Sequence, residues 1–287
     1  MPAAQTWQDI LNAPRDQLSL AEAALVIARD AHPLLDVTVY LARIDNLAAV
    51  LKQRLPADIA DTEKLARLNY YLFTELAFTG NSDDYYDPRN SYLNDVIDRK
   101  LGIPITLSVL LIEVGRRLGL TMSGVSFPGH FLVKCALRDG AVIIDAYAKG
   151  ATLGIKDLQK RLRALSGGVD VPPEAVMRLL NAAAPVDIIA RMLRNLIGIH
   201  RERGGRDVRD GRDDRARALT LANQVIDLCP QGADDFRVRA RLLEELECFR
   251  AALADFENVL RLAPEASDVN AVRGKIAELR ERVSRLN

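Results

Sequence analysis

His130 and Asp145 are the residues through which this chain could do chemistry. His130 follows Pro128-Gly129 at the head of one extended apolar run, and Asp145 lies near the end of the next. Whether they meet depends on hairpin register. If the connection is Leu137–Gly140, Ala136 pairs with Ala141 and Leu132 with Asp145. His130 is then the diagonal neighbour of Asp145 on one face, with Cα atoms ~7–8 Å apart. If Asp139-Gly140 alone forms the loop, Lys134 takes that place and His130 falls ~13 Å away along the strand.

A carboxylate on an imidazole fixes its tautomer and stabilises the imidazolium. Such a pair is half of a nucleophilic machine, or a structural hydrogen bond. The other half requires a thiol or hydroxyl. Cys135, five residues from His130 on the same strand, points to the opposite face. Thr106 and Ser108 fall in the first turns of a helix opening at Pro104, where free N–H groups and the dipole favour an anion. Either is a candidate catalytic hydroxyl, or makes ordinary helix-start hydrogen bonds. A hydroxyl gains less there than a thiol, because its pKa is much higher. The polar stretch from Gly80 to Tyr92 holds two adjacent tyrosines with Asp87, Arg89 and Asn90, and Asn94 follows. Tyr86, Asn90 and Asn94 are candidate ligand-binding residues, unless the segment is a packed Ω-loop that satisfies its own backbone.

The elements that must position these residues read as follows. Ser19-x-x-Glu22 is a capping box ahead of a first helix, which His32-Pro33 ends. His32 reads as a cation at a helix C-terminus. A second amphipathic helix runs to Pro56, and a third covers roughly 61–77. The helix over 104–118 carries apolar residues on more than one stripe and should be largely buried. Strands follow at Met122–Phe127, Phe131–Leu137 and Val142–Tyr147. After Gly150 the chain reads as wholly helical, with 151–185 as a connecting segment containing Gly167-Gly168 and Pro172-Pro173.

A repeat comes next. Arg217–Pro230 aligns with Ala251–Pro264 at an offset of 34, with Ala218/Ala252, Leu219/Leu253, Val225/Val259, Leu228/Leu262 and Pro230/Pro264 coinciding. That period with a closing proline is similar to tetratricopeptide repeats. Helices near 187–202 and 233–247 complete two pairs, and 268–285 supplies a polar capping helix. In Arg203–Arg215 arginine recurs every third residue, but Asp207, Asp210, Asp213 and Asp214 neutralise it, so the stretch reads as a solvated, disordered loop rather than an RNA-binding arm.

Composition excludes several classes. Lys+Arg and Asp+Glu are both 39 and aromatics are 5%, which gives no footprint for nucleic acid or anionic lipid. The longest apolar run, Ile105–Ile112, is far shorter than the ~20 residues that span a bilayer. Neither the three cysteines nor the three histidines have metal-ligand spacing, so no metal or cofactor is expected. The N-terminus lacks a signal-peptide pattern, and the cysteines suit a reducing, cytoplasmic location.

Leu68-Asn-Tyr-Tyr-Leu-Phe, the segment from Gly80 through Asp95, Gly102-Ile-Pro-Ile-Thr-Leu-Ser and Phe127-Pro-Gly-His-Phe-Leu-Val together resemble the bacterial SirB-type proteins. These join a transglutaminase-like core to C-terminal tetratricopeptide repeats. The resemblance implies an α+β, papain-like core with His130 at the triad histidine and Asp145 at the triad aspartate. It puts the thiol column near Pro104, where this chain has no cysteine, and Asp145-Ala-Tyr147 replaces an expected Asp-Pro. The family's name, taken from gene regulation, implies an indirect regulatory role.

The expected architecture is therefore α+β. Helices and a transglutaminase-like core with a small antiparallel sheet occupy 1–150, 151–185 connects, and all-α tetratricopeptide-like pairs occupy 186–287. The expected function is a peptide-, protein- or small-ligand-binding adaptor lacking the cysteine nucleophile, with a protein or peptide partner on the repeats and no nucleic acid or membrane partner. The alternative is a hydrolase or amidase using His130-Asp145 with a hydroxyl or water. A third reading is a structural adaptor whose cleft is closed.

Overall fold

The computed structural model describes residues 3–15, 17–206 and 211–285. The chain forms two compact units, Met1–Met192 and Leu193–Asn287. The fold is α+β.

The first unit opens with α1 (Trp7–Asn12), α2 (Leu20–Ala28), α3 (Val37–Arg54) and α4 (Asp61–Tyr70), the last continued by a π-turn over Tyr71–Glu75. Ser19 caps α2 by accepting from the Glu22 amide at 3.3 Å. The reciprocal half of the expected capping box is absent, because the Glu22 carboxylate accepts instead from the amide of Ala4 at 3.2 Å. His32 does not act on helix carbonyls through its ring, which meets the Asp95 carboxylate at 2.8 Å. Strands β1 (Thr79–Gly80) and β2 (Leu101–Gly102) form a short parallel pair, with α5 (Leu93–Arg99) between them in sequence.

Helix α6 (Pro104–Arg117) is the hub of this unit, with every residue from Pro104 to Gly115 buried. Its all-round apolar sequence permits nothing else. Strands β3 (Thr121–Val125), β4 (Leu132–Leu137), β5 (Gly140–Asp145) and β6 (Ala151–Leu153) then make an antiparallel meander in chain order. Segment 151–185 does more than connect. It supplies β6 as a fourth strand, and α7 (Ile155–Leu165) and α8 (Pro173–Arg178) close one face of the sheet. Leu158, Leu162, Val176 and Leu180 pack there against Val125, Phe127, Leu132 and Ile143. The chain after Gly150 is therefore not wholly helical, because one more edge of sheet could be paired by a three-residue strand.

The division between units falls within α9 (Pro185–Arg206). In the second unit, α10 (Gly211–Leu228), α11 (Ala233–Glu245), α12 (Phe249–Leu262) and α13 (Val269–Arg285) follow. The 34-residue offset superposes α10 on α12. The last helix is polar only on its outer face: Val272, Ile276 and Leu279 join Phe236, Leu243, Phe256 and Val259 in the core. The arginine-rich stretch is not a loop at its two ends, since α9 continues to Arg206 and α10 begins at Gly211. Residues 207–210 lie outside the described residues.

Candidate functional site

The β4–β5 register decides the site. Ala136 pairs with Ala141 and Leu137 with Gly140, so Arg138-Asp139 makes the turn and Val133 stands opposite Ile144. This is the register that makes His130 the diagonal neighbour of Asp145. Gly129 permits the approach to His130 by adopting φ +66°. His130 Nε2 lies 2.9 Å from Asp145 Oδ1.

Asp145 is almost wholly buried and fully partnered. Its Oδ1 also accepts from the amides of Tyr147 at 3.1 Å and Ala148 at 3.2 Å, and its Oδ2 accepts from Arg161 Nη2 at 2.6 Å. Burial raises the pKa of this carboxyl, but hydrogen bonding and charge from His130, with Arg161 and the Ala148 amide, overcome it and bring the pKa down to about 2. An ionised carboxylate only accepts hydrogen bonds. His130 Nε2 therefore carries a proton, and Nδ1 is the lone-pair nitrogen of the neutral ring.

A row of aromatic rings leads away from the pair. Tyr147 meets His130 edge-on at 6.2 Å, Tyr85 meets Tyr147 at 6.1 Å, and Tyr86 meets Tyr85 at 5.3 Å. The Tyr147 ring fits because position 80 is glycine: a Cβ there would lie 2.3 Å from its Cε2. Its hydroxyl donates to the Asn81 carbonyl at 3.3 Å. Burial pushes the Tyr85 and Tyr147 hydroxyls above their usual pKa. Arg191 donates from Nη2 to the His130 carbonyl at 2.8 Å and lies over the Phe131 ring at 5.5 Å.

The other candidates from sequence fall elsewhere. Thr106 donates its hydroxyl to the Asn90 carbonyl at 2.7 Å and accepts from the Ile103 amide at 3.2 Å. It ties the loop to the start of α6 rather than meeting the imidazole. Ser108 is fully buried, and its Oγ has no hydrogen-bond partner among the described residues. Neither hydroxyl is bonded to the His130 ring. Asn90 is wholly buried and spends its amide inside the loop, on Asn81 at 3.1 Å and the Asp84 carbonyl at 2.7 Å. It braces the loop and presents nothing to a ligand. Asn94 is also buried, with Oδ1 unpartnered among the described residues. Tyr86 is 61% exposed and open to a ligand. Cys135 is buried in β4, and that burial raises its pKa, the opposite of an activated thiol.

Sequence reasoning missed Tyr85, Tyr147, Arg161 and Arg191. For Arg161 a signal existed: Ile155, Leu158 and Leu162 have the spacing of an amphipathic helix that covers a core, and Arg161 is carried on it. Among the described residues no group of three or more His, Cys, Asp or Glu side chains could hold a metal. No helix there is long and apolar enough to cross a membrane.

Comparison with known proteins bears on the whole chain. A family described as transglutaminase-like superfamily matches residues 38–194, and one described as tetratricopeptide repeat matches residues 211–277. A UPF0162 protein of Xylella fastidiosa (strain Temecula1) is 36% identical over 273 residues, 95% of this chain and 94% of that protein. A UPF0162 protein of Pseudomonas aeruginosa is 30% identical over 93% of each chain. Human F-box only protein 21 is 28% identical over 229 residues, which are 68% of this chain and 34% of that protein. The chain thus belongs to the transglutaminase-like superfamily, in the SirB-type UPF0162 group that carries tetratricopeptide repeats behind the core.

Proposed function

We propose that this protein is a binding adaptor with a transglutaminase-like core that lacks a cysteine nucleophile. The core holds a peptide segment or small ligand beside the His130–Asp145 pair, the repeats receive a protein partner, and the role is regulatory. One observation carries the reading: the Thr106 hydroxyl is committed to the Asn90 carbonyl at 2.7 Å, and neither it nor Ser108 is hydrogen-bonded to His130. An activated hydroxyl would show that bond to its base. An ionised, buried carboxylate orients the imidazole, and tyrosines flank it. Few fixed polar groups among aromatic surfaces are the composition of a recognition site.

Tetratricopeptide repeats generally mediate protein interactions. In the second unit a groove of about 770 Å³, lined among others by Ile197, Ala222, Val225, Val238 and Arg201, supports this role. Cys135 and Cys248 form no disulfide, which supports a reducing, cytoplasmic location. The second reading, a hydrolase or amidase in which His130 activates a water, is favoured by one feature. His130 Nδ1 has no hydrogen-bond partner among the described residues, and the side chain is partly exposed.

The test compares wild type with His130→Ala. Peptides selected by display on the full chain should lose roughly tenfold in affinity for a His130→Ala variant of unchanged melting temperature. Neither protein should hydrolyse p-nitrophenyl acetate faster than buffer. Hydrolysis by wild type that disappears in His130→Ala would replace the binding reading with the enzymatic one.

A further inference from the structure

Arg191 is a half-buried cation without a counter-ion among the described residues. Three other guanidiniums of the first unit are neutralised: Arg161 by Asp145, and Arg89 and Arg99 by Asp87. Arg191 has no such partner among the described residues. Burial lowers its pKa, opposed only by the nearby Tyr85. Cation–π contact with Phe131 and the single bond to the His130 carbonyl compensate it in part. A guanidinium carries five N–H donors in a fixed fork. One is spent on His130, and none of the others is a buried orphan. They remain available to solvent or to a ligand.

Their position makes this informative. Arg191 holds the backbone of His130 itself. The rings of His130, Tyr147 and Tyr85 stand in edge contact, and Tyr85 feels the Arg191 charge. A half-buried cation with free donors, bonded to the backbone of the residue that carries the oriented imidazole, is complementary to a planar or tetrahedral oxyanion. We propose that the site beside His130 recognises an anionic group, a carboxylate or a phosphate, through the Arg191 guanidinium. The inference rests on the recognition reading above and names the chemistry of its ligand. Arg161 does not take this role, because its charge is already neutralised by Asp145 through Nη2 at 2.6 Å.

The experiment is an NMR titration of the full chain, read at the ring C–H signals of His130, with His32 and His200 as internal controls. The probes are acetyl-alanine, its uncharged amide and inorganic phosphate. A saturable His130 shift is expected with acetyl-alanine or phosphate, and whichever binds more tightly identifies the source. The amide should give none. Arg191→Gln should weaken binding roughly tenfold, as loss of a charge-assisted contact does. If Arg191→Gln unfolds, Arg191→Lys provides the reading: it keeps the charge but loses the fork, and a several-fold loss supports the proposal. Equal saturation in the variants, equal response to the amide, or no saturable response to either anion overturns it. Selected peptides that depend on His130 while no anion depends on Arg191 would remove this inference alone.

Discussion

At the scale of residues, the site is governed by what Asp145 can and cannot release. Its carboxyl titrates near 3.8 when unperturbed and at about 2 in the fold. Folding is therefore favoured by its ionised form. That stability is fully present above pH 3.8 and is lost as the pH falls towards about 2. The shift corresponds to about 2 kcal/mol. Arg161→Ala removes the guanidinium that holds the carboxylate, so the acid-unfolding midpoint of the first unit should move to higher pH. Circular dichroism across an acid titration checks this, and an unchanged midpoint would mean that His130 and the backbone amides suffice. His130 and Asp145 were legible in sequence because strand pairing has a period of two and the hairpin offered only a few registers. Arg161 and Arg191 were not, since each reaches the pair from a helix whose docking no local pattern specifies.

At the scale of elements, the two hydroxyls at the start of α6 differ in a testable way. Thr106 satisfies the Asn90 carbonyl and the Ile103 amide, both buried. Thr106→Val keeps the shape but leaves those groups only their own long bond to one another at 3.4 Å, which costs roughly 1 kcal/mol. Ser108 has no partner to lose. Ser108→Ala should be neutral or slightly stabilising, because it removes a buried hydroxyl that nothing satisfies. Urea midpoints of the two variants measure the contrast, and a large loss from Ser108→Ala would reveal a partner for that hydroxyl. Here too legibility has a physical boundary. The buried helix announced itself by apolar residues on every face. The loop from Gly80 to Tyr92 left two readings open, and the structure shows Asn81 and Asn90 closing it on itself, with Tyr85 and Tyr86 left to the surface. Strand β6 escaped because three residues are too few to show a period of two, and the docking of α7 and α8 on the sheet escaped because Gly167-Gly168 and Pro172-Pro173 made 151–185 read as a connection.

At the scale of the whole molecule, the division into two units has a consequence in pH. The 34-residue offset made the second unit readable, since a repeat reports its own period whatever it packs against. It did not report His200, which is buried against Asp214 at 2.7 Å. Burial lowers the pKa of this imidazole below 6.5, although Asp214 pulls the other way. As the pH falls through 6.5 the unfolded chain takes up a proton that the folded unit resists, so stability rises with pH in this range and is lost below it. The loss belongs to the second unit. Asp145, in the first, is unaffected until the pH drops below 3.8. The single tryptophan, Trp7, lies in the first unit and separates the two signals. Between pH 7 and 5.5 the urea midpoint seen by far-ultraviolet circular dichroism should fall while the Trp7 fluorescence midpoint holds. His200→Phe, which fills the site without a titrating group, should abolish the difference. If both probes move together at every pH, the two units unfold as one, and the separation of cores does not extend to their stability.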